Sequence, residues 1–225
     1  DRGPVHWVVR GAPGSGKTTL LRHLCATLSR TGRWIPLYAR IPGLLRSGTE
    51  LLARVEQSIQ VAHPVPGLAR HLDEEGGKGR VVLLLDGLDE VPRDRLPEAR
   101  QLLGGLARRW PRSVLVVTSR PIGYTRPGPT FRELDLLPLD RPRRLRFLAQ
   151  WFSRSAAAVP SPEDALATFE DNASLNDLAG NPLYLTFLAL LLEEGLTPSR
   201  SRHVLYDQIL EILLEGRHRI GAERI

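Results

Sequence analysis

At 225 residues, with 42 % hydrophobic and 25 % charged side chains, the chain has the composition of an ordinary soluble globular protein and length enough to bury a substantial core. A net charge of +6 and a pI near 10.2 come almost wholly from arginine; without a long basic run or an aromatic-interleaved basic strand, they indicate a solvated surface, with a face for an acidic partner or another domain, and weigh against nucleic acid. The single cysteine rules out an intrachain disulfide or a cysteine-based metal site, and the longest apolar run, Leu183 to Leu192, falls well short of the roughly 20 residues that span a bilayer.

The first predicted element is a short apolar strand, Val5-His6-Trp7-Val8-Val9. It runs into Gly11-Ala12-Pro13-Gly14-Ser15-Gly16-Lys17-Thr18, the pattern G-x-x-x-x-G-K-[ST], and then into an amphipathic helix over about Lys17–Ser29 that Gly32 stops. Glycines at 11, 14 and 16 let the backbone approach an anion closely, because no Cβ stands in the way. The loop N–H groups and the positive end of the helix then point at a phosphate chain. In that arrangement Lys17, one of only two lysines in the chain, reaches the β- and γ-phosphates, and the Thr18 hydroxyl ligates Mg²⁺. Cys25 shares the helix with Leu20, Leu21, Leu24 and Leu28 and is expected to be a small core residue, which suits a reducing, cytoplasmic setting.

A second strand is expected over Trp34–Ile41, with Pro36 marking its start or a sheet edge. A weaker helix follows near Thr49–Ala62, and 63–79 reads as loop with one short helix. The run Val81-Val82-Leu83-Leu84-Leu85 has the length and branching of a strand buried on both faces, and it ends in Asp86-Gly87-Leu88-Asp89-Glu90. A helix over about Arg95–Arg109, a strand Ser113–Val117 ending in Thr118-Ser119-Arg120-Pro121, and a last strand Phe131–Leu136 complete a βα alternation, which indicates a parallel sheet. Beyond Pro138 no further strand is visible. Helices are expected near Arg141–Ser155, Pro162–Asn172, Leu175–Ala179, Pro182–Glu194 and Arg202–Glu215, with cap-plus-proline starts at Ser161-Pro162 and Asn181-Pro182. The reading is therefore a nucleotide domain over 1–138, a helical domain over 139–216 and a truncated linker over 217–225. No signal-peptide pattern opens the chain, and its abrupt start and lack of methionine read as a fragment of something longer.

Phosphate loop, strand-end carboxylates and strand-end arginine come in the order a nucleoside triphosphatase needs. Asp86 would hold Mg²⁺ opposite Thr18, usually through a water. Asp89 or Glu90 would orient or deprotonate the attacking water; spacing does not decide between them, and Asp89 is preferred, with Glu90 partnering a cation or positioning a second water. Arg120 is placed to stabilise and sense the terminal phosphate. Arg40 could serve similarly but reads more simply as a member of a surface ion pair.

These residues together resemble the NACHT family of signal-transducing nucleotide switches. The likeness rests on Gly11 to Thr19, on Leu83 to Glu90, on Thr118-Ser119-Arg120-Pro121, on Gly180-Asn181-Pro182-Leu183 and on the late helix around Leu205-Tyr206. It implies a P-loop α/β domain of the AAA+/STAND kind with strand order 5-1-4-3-2, followed by a small all-α domain. It also implies that ATP or ADP with Mg²⁺ is bound, that Thr19 belongs to the loop site, that Pro182 packs on the adenine and that Arg120 is the sensor. Pro182 is explained equally well as a first-position helix proline. The family further implies a bacterial, defence-type sensor that oligomerises when active and carries winged-helix, sensor and effector domains that this stretch lacks. An AAA-like ATPase with steady turnover is the alternative. A GTP-specific reading fails, because Lys78 is followed by Gly79-Arg80-Val81 rather than a base-reading motif.

Overall fold

The computed structural model describes residues 5–45, 67–155 and 157–222. The helix expected near Thr49–Ala62 lies outside the described residues. The chain divides into two compact units, Asp1–Leu136 and Leu137–Ile225.

In the first unit β1 (His6–Arg10), β2 (Ile35–Arg40), β3 (Val81–Asp86), β4 (Val114–Ser119) and β5 (Phe131–Asp135) form one parallel sheet. Its order, β2-β3-β4-β1-β5, is the expected 5-1-4-3-2 read from the other edge. Pro36 sits on β2, at the sheet edge, where a missing N–H costs least. All six residues of β3 are buried, because both faces of the strand are covered. Alternation sends Val81, Leu83 and Leu85 towards Leu72, Leu103 and Trp110 on one side. Val82 and Leu84 face Leu21 of α1 (Lys17–Arg30) on the other, where Cys25 is half-buried rather than fully enclosed.

Two features depart from the sequence reading. A short helix α2 (Ile41–Leu45) follows β2 although it contains Pro42 and Gly43; burial of Ile41, Leu44 and Leu45 overrides the poor helix propensity. Strand β4 runs two residues further, through the polar Thr118 and Ser119, which are buried with their hydrogen bonds made.

Helices α3 (Leu68–Gly77) and α4 (Leu96–Arg109) complete the described part of this unit. At the end of α3 the Glu75 side chain is only 6 % exposed and sits between Arg80 and Lys78, the latter at 2.9 Å. These cations hold its carboxyl down from 4.5 to about 2. A depressed folded-state pKa contributes stability that is present above pH 4.5 and lost as pH falls towards 2. Urea denaturation across that window should show a falling midpoint, and Glu75→Gln should flatten the fall while lowering stability at neutral pH.

The second unit holds α5 (Arg141–Phe152), α6 (Pro162–Glu170), α7 (Ala173–Ala179), α8 (Pro182–Glu193) and α9 (Arg202–Ala222). Asp140, Ser161, Asn172 and Asn181 each accept a backbone N–H in the first turn of the following helix, at 3.0 to 3.1 Å, so each start is defined by a side-chain cap. The core is built on Leu148, Leu166, Phe169, Leu185 and Leu188. Helix α9 runs past the expected end at Glu215. Among the described residues no single helix is long and apolar enough to cross a membrane.

Candidate functional site

The strand order sets the carboxyl ends of β3, β4 and β1 side by side, which is where open α/β sheets bind ligands. The loop leaving β1 is held to β4 by the Gly11 N–H, which donates to the Ser119 carbonyl at 3.1 Å. Gly14 (φ 73°) and Gly16 (φ 88°) turn the chain through the left-handed region into α1. A Cβ at Gly11 would press on the Ser15 hydroxyl, which would have to turn aside to admit it. Ser15 Oγ lies buried within this loop with no partner, and buried hydroxyls are ordinarily paired. Thr19 follows on α1 with its side chain exposed.

Lys17 curls back over the loop. Its ammonium donates to the carbonyls of Gly11 (2.8 Å) and Ala12 (3.0 Å), and burial lowers its pKa from the usual lysine value. Asp86, 5 % exposed, is the centre of a hydroxyl network. Thr18 Oγ1 donates to its Oδ2 at 2.7 Å and Tyr38 donates to the same oxygen at 3.1 Å. Thr118 Oγ1 donates to Oδ1 and itself accepts the Gly87 N–H at 2.9 Å. Burial, then the Asp86 charge, raise the Tyr38 phenol above its ordinary pKa.

Gly87 (φ 79°) starts the tight turn that presents Asp89 and Glu90. The two carboxylates part company there. Asp89 accepts both the Arg120 guanidinium, at 2.9 Å, and the Arg120 backbone N–H, at 3.1 Å. Glu90 instead pairs with Arg40 at the end of β2, the surface ion pair expected of Arg40, with one of the candidate acids as its partner. Ala12, Pro13, Asp89, Glu90 and Arg120 line a common cleft of about 490 Å³.

The structure thus brings together the loop, Lys17, Thr18, Asp86, Asp89, Glu90 and Arg120. Pro182 lies in the second unit, where it opens α8 behind the Asn181 cap and its carbonyl accepts from Thr186 at 2.9 Å. Sequence reading missed Tyr38 and Thr118. Strand register, which only the structure gives, explains their place: Leu85 pairs with Val117, so Thr118 falls beside Asp86, and Tyr38 lies two residues before Arg40, which pairs with Asp86.

The donor set fits a nucleotide-bound Mg²⁺. Among the described residues no three His, Cys, Asp or Glu side chains gather into a protein cage. Mg²⁺ is ordinarily held by one or two carboxylates together with phosphate oxygens and waters, and Thr18 with Asp86 is a set of that kind.

The sequence profile described as NACHT domain matches residues 6–155. No curated protein matches the chain. Among solved structures, the ORC1 protein of Aeropyrum pernix in complex with DNA superposes with TM-score 0.51 at 20 % identity over 93 % of this chain and 60 % of its own. A signal transduction ATPase with numerous domains (STAND) from Pyrococcus horikoshii, with a tetratricopeptide repeat sensor, gives 0.53 at 14 % identity over 92 % and 30 %. The Hsp104–ADP complex of S. cerevisiae gives 0.54 at 12 % over 84 % and 28 %. At these identities the likeness is one of fold, and the chain spans less than two thirds of each of these proteins.

Proposed function

Since it carries that domain over residues 6–155, the chain belongs to the NACHT family, and on this premise we propose that it is the nucleotide-operated part of a larger signalling switch. In this reading 1–138 binds ATP or ADP, 139–216 is the helical domain that responds, and 217–225 leads towards further sensor and effector domains. Nucleotide exchange changes the arrangement of the two domains, and the active form is a homo-oligomer. The chain itself is a slow ATPase in a cytoplasmic, defence-type protein.

One observation supports this above others: Asp89 and Arg120, the water-orienting acid and the phosphate sensor, neutralise each other across 2.9 Å. A terminal phosphate competes with Asp89 for Arg120, so its arrival frees the acid and reports its own presence in one exchange of partners. Mg²⁺, held by Thr18 and Asp86 when nucleotide is bound, supplies charge neutralisation at the phosphates. The loop glycines and Lys17 bind the phosphate chain, Asp89 orients the water, Glu90 assists after leaving Arg40, and Pro182 meets the base.

Arg120→Ala should retain ATP binding but lose about 10²–10³ in turnover, the usual cost of removing one charge-stabilising donor. It should also bind ATP and ADP with more nearly equal affinity, as titration calorimetry with each nucleotide would measure. Equal ATP–ADP discrimination in wild type and variant would overturn the sensor role. Wild-type turnover near the roughly 10 s⁻¹ enzyme median would instead establish the AAA-like ATPase.

A further inference from the structure

Asp86 is held more elaborately than phosphate-loop chemistry alone requires. Its three hydroxyl donors come from three elements: Thr18 from α1, Tyr38 from β2 and Thr118 from β4. Strands β2 and β4 flank β3 on either side, so the carboxylate is gripped laterally from both neighbours. Thr118 is fully buried, and because its oxygen already accepts the Gly87 N–H, its own proton is committed to Asp86. Both carboxylate oxygens are therefore fixed before any metal arrives. Two residues beyond Thr118 on the same chain segment, Arg120 holds Asp89.

We propose that Tyr38 and Thr118 are positioning residues that set how tightly Asp86 holds Mg²⁺, with Thr118 also tying that carboxylate to the turn bearing Asp89 and Glu90. The inference rests on the nucleotide-binding reading above. Partners standing behind a metal ligand fix its orientation, and their loss typically costs 10–100-fold in metal affinity. Tyr38 is the cleaner probe, since phenylalanine keeps its ring and removes one hydroxyl. Thr118→Val keeps shape but strips a buried carboxylate and a backbone N–H of a partner, so it costs stability as well.

The test measures the Mg²⁺ concentration for half-maximal binding of a fluorescent ATP analogue, with thermal melting of each protein alongside. Tyr38→Phe should need about tenfold more Mg²⁺ than wild type, at the low end of that range, while its affinity for the analogue in EDTA stays within about twofold. Thr118→Val should shift the requirement further, and Thr118→Ser, which restores the hydroxyl, should recover it. An unshifted Mg²⁺ requirement in Tyr38→Phe overturns the role of Tyr38. The same failure in Thr118→Val, or a Thr118→Ser protein no better than valine, overturns that of Thr118. Absence of analogue binding to wild type, with or without Mg²⁺, is a different result and defeats the nucleotide-binding reading itself.

Discussion

The Lys17→Ala protein is expected to bind ATP at least about 30-fold more weakly than wild type, at unchanged melting temperature. Lys17 is the only lysine in the loop, and its ammonium lies 2.8 Å and 3.0 Å from carbonyls that bound phosphate would replace as partners. Burial lowers its pKa and the Arg120 charge adds to that, while Asp89, Asp86 and Glu90 pull the other way. Removing one partner of a buried, hydrogen-bonded charge pair costs about 2–5 kcal/mol, and 1.4 kcal/mol is a factor of ten. Fluorescence titration with an ATP analogue would measure the loss. Unchanged affinity would end the reading of residues 11–18 as a phosphate site. The melting temperature is the control: in the free protein this side chain satisfies two carbonyls that water can reach once it is gone.

Trp110→Ala should cost about 3–5 kcal/mol of stability, the range for truncating a fully buried aromatic ring. Trp110 is 1 % exposed at the end of α4, and its indole N–H donates to Asp73 on α3 at 2.9 Å. Its ring lies so close to Gly76 that a Cβ there would come within 2.5 Å of it, so α3 and α4 meet over a ring fitted to a bare backbone. Alanine at 110 leaves a void on that side of the sheet, while Asp73 keeps Arg109 at 2.9 Å. At about 2–4 °C per kcal/mol for a protein of this size, calorimetry should record a fall of roughly 10 °C. A shift under about 2 °C would mean that the ring is not the seal between these helices. Nucleotide affinity well below the new midpoint should survive, because the site lies at the other end of the strands.

How much of this was legible in the sequence follows from how locally each feature is encoded. The loop was readable because its chemistry needs glycine, lysine and a hydroxyl at fixed spacing within eight residues. The β3 run was readable because a strand covered on both faces needs no polar residue until its end. Strand order 5-1-4-3-2 came from the family resemblance rather than from periodicity. Tyr38 and Thr118 were not readable, because nothing adjacent in sequence says that a tyrosine on β2 and a threonine on β4 will meet one aspartate. Arg40 read as a surface ion pair and is one, but its partner Glu90 lies fifty residues away and no local pattern named it. Helix α2 escaped notice because its formation depends on three buried side chains rather than on propensity.

The position of β4 has a consequence for how the chain comes into being. It is made after β1 and β3, yet it lies between them. A nascent chain that has emerged only as far as Pro111 already contains the glycine loop and the Asp86 strand, but nothing to set them at their working distance. The last strand to the centre also brings Thr118 and Arg120, and the carbonyl on which Gly11 hangs. Pairings this distant in sequence form late, after the cost of closing the intervening chain has been met. The cleft therefore comes together in one step, when β4 pairs between β3 and β1, and a chain ending before Val114 lacks Thr118, Arg120 and the Ser119 carbonyl together.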